Sequence, residues 1–157
     1  NLFFSIILRS RDPREKYFYN NIASQDLNFL ERSNKYSSYD YLEKINYFVG
    51  TENTMTYEAL SKKKRVAALT IRENLLEDLT GIKLEGLSFY WPGKLDLEGK
   101  FWTHLPNSNS FSKVLDFVVK SKDDEWNLEL NKINKEFKVY YDKNNFILNN
   151  LIKEHLK

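Results

Sequence analysis

The run TMTYEALSKKKRVAALTIRENLLEDLTG, residues 54–81, followed by IKLEGLSFYW, residues 82–91, decides how the whole chain is read. Ala68, Ile71, Leu75 and Leu79 stand at i, i+3, i+7 and i+11, the stripe of one helical face, and Ala59, Leu60, Val66, Leu69 and Leu76 widen it. Thr54 or Thr56 is a fair N-cap. Thr80-Gly81 closes the helix, since glycine accepts the left-handed conformation of a helix terminus. A helix of ~24 residues would be ~36 Å long, more than a small core can cover. The spacing therefore predicts a docked second half and a projecting, basic first half.

After Gly81 the period changes to two. Ile82, Leu84, Leu87, Phe89 and Trp91 read as a strand with a bulge at Gly86. Pro92-Gly93 is a turn, and the chain from Leu95 to Leu105 reads as extended around Gly99. Pro106 to Ser110 is the clearest loop. Val118-Val119 favours a strand over Lys113–Lys120. Trp126, Leu128 and Leu130 alternate with polar residues, as do Phe137, Val139 and Tyr141. A last helix carries Ile147, Leu148, Leu151, Ile152, His155 and Leu156 on one side.

Upstream, Leu2–Leu8 is a short apolar run compatible with a strand or a docked helical end. Asp12-Pro13 starts a helix that reaches Ile22. Ser24-Gln25-Asp26 offers a start for a short helix carrying Leu27, Phe29 and Leu30. Ser37 or Ser38 caps a helix through Tyr41, Leu42, Ile45, Tyr47 and Phe48, closed at Gly50. The expected fold is α+β: N-terminal helices, one long helix leading into an antiparallel meander of four or five strands, and a closing C-terminal helix. Residues 1–53 form a helical region and 54–157 the long helix plus sheet domain, packed as one unit.

Composition narrows the classes. The 157 residues include 15% aromatics, enough for a core, and no cysteine, which excludes disulfides and thiolate metal sites and suits an intracellular setting. A net charge of +2 does not by itself argue for nucleic acid. The apolar run at the start is too short to span a bilayer, which needs about 20 residues. The chain begins at Asn1 rather than Met, as a piece of a longer protein would.

No catalytic, cofactor-binding or metal motif emerges. Gly99-Lys100 is followed by Phe101 instead of the hydroxyl residue of a phosphate loop. His104 and His155 lack ligand spacing, and a packing or interface role suits His155. Glu98-Gly99-Lys100 and Glu136-Phe137-Lys138 match the acid–any–lysine triplet of metal-dependent nucleases, and Asp96 shares a strand face with Glu98. The distinctive charge feature is Lys62-Lys63-Lys64-Arg65, with no acid before Glu73. It reads as the wet side of a helix, or functionally as a contact for phosphates or as a nuclear import signal. With Leu69 and Arg72 it forms the expected contact surface for a partner or nucleic acid.

Leu75-Leu76 with Leu79-Thr80-Gly81-Ile82, then the meander, then the helix from Asn144 resemble the RWD-type domains that follow coiled coils in kinetochore and related scaffold proteins. The resemblance covers residues ~66–157 by order of elements. It implies a protein-binding module with no active site or cofactor. The leading expectation is thus a non-enzymatic interaction or scaffold module, with a protein partner or self-association. The alternatives are nucleic-acid binding through residues 62–65, and a metal-dependent nuclease built on Asp96, Glu98 and Lys100.

Overall fold

The computed structural model of the chain describes residues 5–7, 13–22, 27–31, 34, 37–83, 96–137, 142 and 145–156. Two compact units divide it, Asn1–Ile45 and Asn46–Lys157.

In the first unit β1 (Ser5–Ile7) pairs in parallel with β2 (Asn28–Leu30), Ser5 standing opposite Asn28. The Asn28 amide also donates to Ser5 Oγ at 2.8 Å. Helix α1 (Pro13–Ile22) makes the crossover and starts at the proline, whose fixed φ suits a first helical position. The short helix expected after Ser24 is instead β2: Leu27, Phe29 and Leu30 are too few to fix a period, and pairing with β1 decides the conformation. In α2 (Ser37–Lys44) Ser37 Oγ accepts from Asn34 N–H at 2.9 Å and donates to Asn34 O at 3.0 Å. That helix stops at Lys44, short of Tyr47 and Phe48.

The second unit runs β3 (Tyr47–Gly50), α3 (Met55–Ser61), β4 (Arg65–Leu69), α4 (Arg72–Thr80), β5 (Trp102–Thr103), α5 (Ser108–Lys120), α6 (Asp123–Phe137) and α7 (Phe146–His155). Strands β3, β4 and β5 form one parallel sheet in that order, with β4 in the middle. This corrects the expected fold class at two points.

The long helix does not exist: residues 54–81 are a short helix, a central strand and a second helix. In Arg65-Val-Ala-Ala-Leu69 the four residues from Val66 are buried on both faces, and such a strand has no alternation to betray it. Its apolar run continued the helical stripe on either side. The break is made without Gly or Pro. Lys63 takes a left-handed φ of 60°, so the turn from α3 to β4 carries no sequence signature. Thr54 takes the N-cap position of α3, but the capping side chain is Asn53, whose Oδ1 accepts from Thr56 N–H at 3.1 Å. Gly81 does end α4, at φ 68°.

The meander is also replaced. Lys113–Lys120 lies in α5, and Trp126–Leu130 lies in α6. Asn107 sets the start of α5 by accepting from Ser110 N–H at 2.9 Å, so the loop-like run Pro106–Ser110 conceals a helix cap. In α6 the buried residues Trp126, Leu130 and Ile133 recur at i, i+4 and i+7, while Leu128 is exposed. The helical period therefore overrides the short alternation. Antiparallel pairing among the described residues is confined to a bridge between Glu98 and Thr103. The strands expected over 84–91 and 138–141 fall outside the described residues.

The core of this unit is Val66, Ala67 and Ala68 of β4, Ala59 and Leu60 of α3, Val114 and Val118 of α5, and Phe101 beside Trp126. The Phe101 and Trp126 rings lie 5.1 Å apart, and Phe101 meets Trp102 edge-on at 5.2 Å. Helix α3 packs on β3 and β4, and α5 on β4 and β5. The alanines of β4 let these helices approach the sheet closely. The closing helix α7 carries exposed Phe146, Leu148 and Leu151.

Candidate functional site

In a parallel sheet every strand delivers its following residues to the same edge, and ligands bind outside the carboxyl ends. Here β3 leads to Glu52, β4 to Thr70 and Arg72, and β5 to His104. Polar side chains concentrate there: Thr70, Glu73, Thr103 and His104 are all buried, and the Glu52 side chain is 4% exposed.

Glu52 holds a left-handed backbone, φ 51°, which costs free energy for a residue with a Cβ and is found where surroundings enforce it. Its carboxylate accepts a hydrogen bond from the Arg72 backbone N–H and lies 3.4 Å from Arg72 Nε. The Arg72 side chain is 56% exposed. Glu52 thus hydrogen-bonds the first amide of α4 and stands at ion-pair distance from the inner nitrogen of the guanidinium. The two terminal nitrogens have no partner among the described residues. Such a fork, fixed by one carboxylate and open at its outer edge, suits bidentate recognition of a phosphate or carboxylate.

Behind this pair, Thr70 engages His104 Nδ1 through its hydroxyl and its carbonyl, the latter at 3.3 Å. Asn74 of α4 donates to the His104 carbonyl at 2.7 Å. Burial pushes the His104 imidazole below its ordinary value of 6.5, against the upward pull of the Thr70 carbonyl and the Glu52 carboxylate. The ring is therefore neutral near pH 7. These bonds lock the ends of β4 and β5 to α4 and hold the Arg72 turn in place.

The residues expected to contact a partner are dispersed. Lys62 and Lys63 form the turn after α3, and Lys64 precedes β4. Arg65 points into the fold: Nη1 donates to Val118 O at 3.0 Å, Ser121 O at 2.7 Å and Ser121 Oγ at 3.1 Å, while Nη2 pairs with Asp123 at 2.7 Å. Leu69 is buried in β4. Only Arg72 reaches the strand-end site. Glu52, Thr70, Asn74 and His104 were not singled out as site residues, although Thr70 follows the apolar run Val66–Leu69 directly, the position a buried strand's site residue takes.

Asp96, Glu98 and Lys100 lie on exposed chain before β5. Asp96 accepts from Trp102 Nε1 through its backbone carbonyl at 3.3 Å, and Lys100 Nζ sits over the Phe117 ring at 5.8 Å. Among the described residues no three His, Asp or Glu side chains gather as a metal site. His155 is exposed at the end of α7. No described helix is long and apolar enough to cross a membrane.

A family model described as "putative O-antigen biosynthesis protein" matches residues 1–156. The chain belongs to this family. The match overturns the resemblance to RWD-type domains, as does the parallel sheet: Leu75, Leu76 and Leu79 belong to a short crossover helix and not to a stalk entering a meander. No curated protein and no solved structure matches the chain.

Proposed function

We propose that the second unit binds a phosphate-bearing activated sugar at the carboxyl ends of β3, β4 and β5, and serves an enzymatic step in building a surface polysaccharide. The observation that carries this reading is the exposed Arg72 guanidinium, paired on its Nε side at 3.4 Å with the buried carboxylate of Glu52. The family description supports it from a second side, because O-antigen is a carbohydrate and its assembly consumes sugars activated as phosphate esters. Arg72 supplies the anion contact, Glu52 orients it, and Thr70, Asn74 and His104 hold the frame.

The test is calorimetric titration of the protein with UDP-glucose, UDP and inorganic pyrophosphate. Arg72→Glu should abolish binding. Arg72→Lys should weaken it about tenfold or more, because an ammonium keeps the charge and loses the planar fork. Arg72 is exposed, so circular dichroism should show an intact fold in both variants. If Arg72→Glu bound these probes as the wild type does, the reading would be wrong.

The interaction-module reading draws on one feature, the exposed apolar side chains of α7. Its mark would be a change in solution mass on replacing Leu148 and Leu151 with Asp, with sugar-nucleotide binding untouched. The nuclear reading of residues 62–65 receives no support from the family.

A further inference from the structure

A cleft of about 320 Å³ opens between α5 and the chain that precedes β5, lined by Glu98, Gly99, Lys100, Ser110, Lys113, Val114 and Phe117. That is the lower end of the range for small-molecule sites. One wall is rigid. Gly99 N–H donates to Trp102 O and His104 N–H to Leu97 O, both at 2.9 Å, so residues 97–104 form a tight hairpin along the sheet edge. Gly99 lies so close to Trp102 that an added Cβ would fall 2.0 Å from the indole. With Gly99 pressed on Trp102, Glu98 and Lys100 on either side of it both border the cleft. The other wall is α5, where Ser110, Lys113, Val114 and Phe117 recur at i, i+3, i+4 and i+7.

The lining has three chemistries. Val114 and half-buried Phe117 offer an apolar floor, and an aromatic face is electron-rich, so it attracts a cation or the C–H face of a sugar ring. Lys100 Nζ lies over that ring. Ser110 and Glu98 offer groups able to bond ring hydroxyls. Two lysines outnumber the single carboxylate. Neither Glu98 nor Lys113 has an ion-pair partner among the described residues, so these charges border the cleft without cancelling each other. From this we infer that the cleft binds an anionic monosaccharide unit: ring against the apolar floor of Val114 and Phe117, hydroxyls to Glu98 and Ser110, and the anion, carboxylate or phosphate, between Lys100 and Lys113. The choice of a sugar rests on the function proposed above. The cleft shares no residue with the strand-end site around Arg72.

The experiment titrates the protein with glucuronate, glucose 6-phosphate and glucose, monitored by ligand-observed NMR and calorimetry. The wild type should bind one or both anionic sugars, and which one it takes tells a uronate from a sugar phosphate. Glucose should bind about tenfold or more weakly, having no charge to offer the lysines. Lys100→Glu with Lys113→Glu should lose the anionic sugars. Lys122→Glu with Lys153→Glu, the same charge change at exposed sites outside the cleft, should keep them. Retained binding in the cleft variant, equal binding of glucose, or no binding of either anion at millimolar concentration would each overturn the inference. Arg72→Glu separates the two readings. If it lost UDP-glucose and kept glucuronate, both sites would stand. If it lost glucuronate while the cleft variant kept it, the cleft would be discarded and the strand-end site upheld.

Discussion

Replacing Arg65 with Met isolates what a residue of the basic cluster does for the fold. The arginine stem lies beside Trp126, its guanidinium carbon 5.9 Å from the ring centroid, and Met keeps most of that packing. What is lost is Nη1 to Val118 O, Ser121 O and Ser121 Oγ, and the Asp123 pair. Asp123 is 90% exposed, so its ion pair is worth at most about 1 kcal/mol. The carbonyls at the end of α5 matter more, because a hydrogen bond from a charged donor contributes about 1.5–3 kcal/mol and these acceptors regain water only in part. The expected cost is ~2–4 kcal/mol, or about 5–15 °C in Tm for a chain of this size. Urea denaturation followed by tryptophan fluorescence reads it directly, since all three tryptophans of the sequence lie beyond residue 46. Asp123→Asn should cost under about 1 kcal/mol. If Arg65→Met stayed within about 0.5 kcal/mol of wild type, or Asp123→Asn cost as much, the arginine would not be a structural clamp.

Two further outcomes follow from the geometry. Because burial lowers the His104 pKa below 6.5, the unfolded chain binds the extra proton more readily, so the stability tied to a neutral ring is complete above pH 6.5 and declines as pH falls below it. His104→Asn should flatten this acid-side slope in urea titrations between pH 7 and 5; an unchanged slope would show that another group controls it. Gly99→Ala should destabilise by ~1–3 kcal/mol, since its methyl would overlap the Trp102 ring and that ring is buried. A Gly99→Ala protein with wild-type stability would mean the hairpin is not held against the indole.

Local signals in the sequence were read well where a residue's own chemistry decides the backbone. Pro13 opened a helix and Gly81 closed one. They failed where tertiary contact decides. Val66–Leu69 is a strand because it lies between β3 and β5 and beneath helices, and nothing in its four apolar residues says so. Val118 and Val119 prefer strands when isolated, yet Asn107 and the stripe Ser110, Val114, Val118 place them in a helix. Without β4 the candidate site is not legible, because Thr70 and Arg72 acquire meaning only as the residues after a strand. Arg72 draws notice by its charge; Glu52 has no signal apart from standing where β3 ends. Arg65 was chosen on the same ground as Arg72 and proved to be a tie between α5 and α6.

The placement of β4 at the centre of the sheet has a kinetic consequence. Its pairing with β3 joins residues eighteen apart, Tyr47 with Arg65, across one short helix. Its pairing with β5 joins residues thirty-four apart, Ala68 with Trp102. Closing the longer loop costs more entropy, and only two register pairs follow from it, so β3–α3–β4 is the part that can assemble first. Until Trp102 and Thr103 arrive, one edge of β4 stands open, and Thr70 and Arg72 have no His104 beside them. On that order of assembly the strand-end site is completed when the hairpin around Gly99 settles onto the half-sheet of β3 and β4.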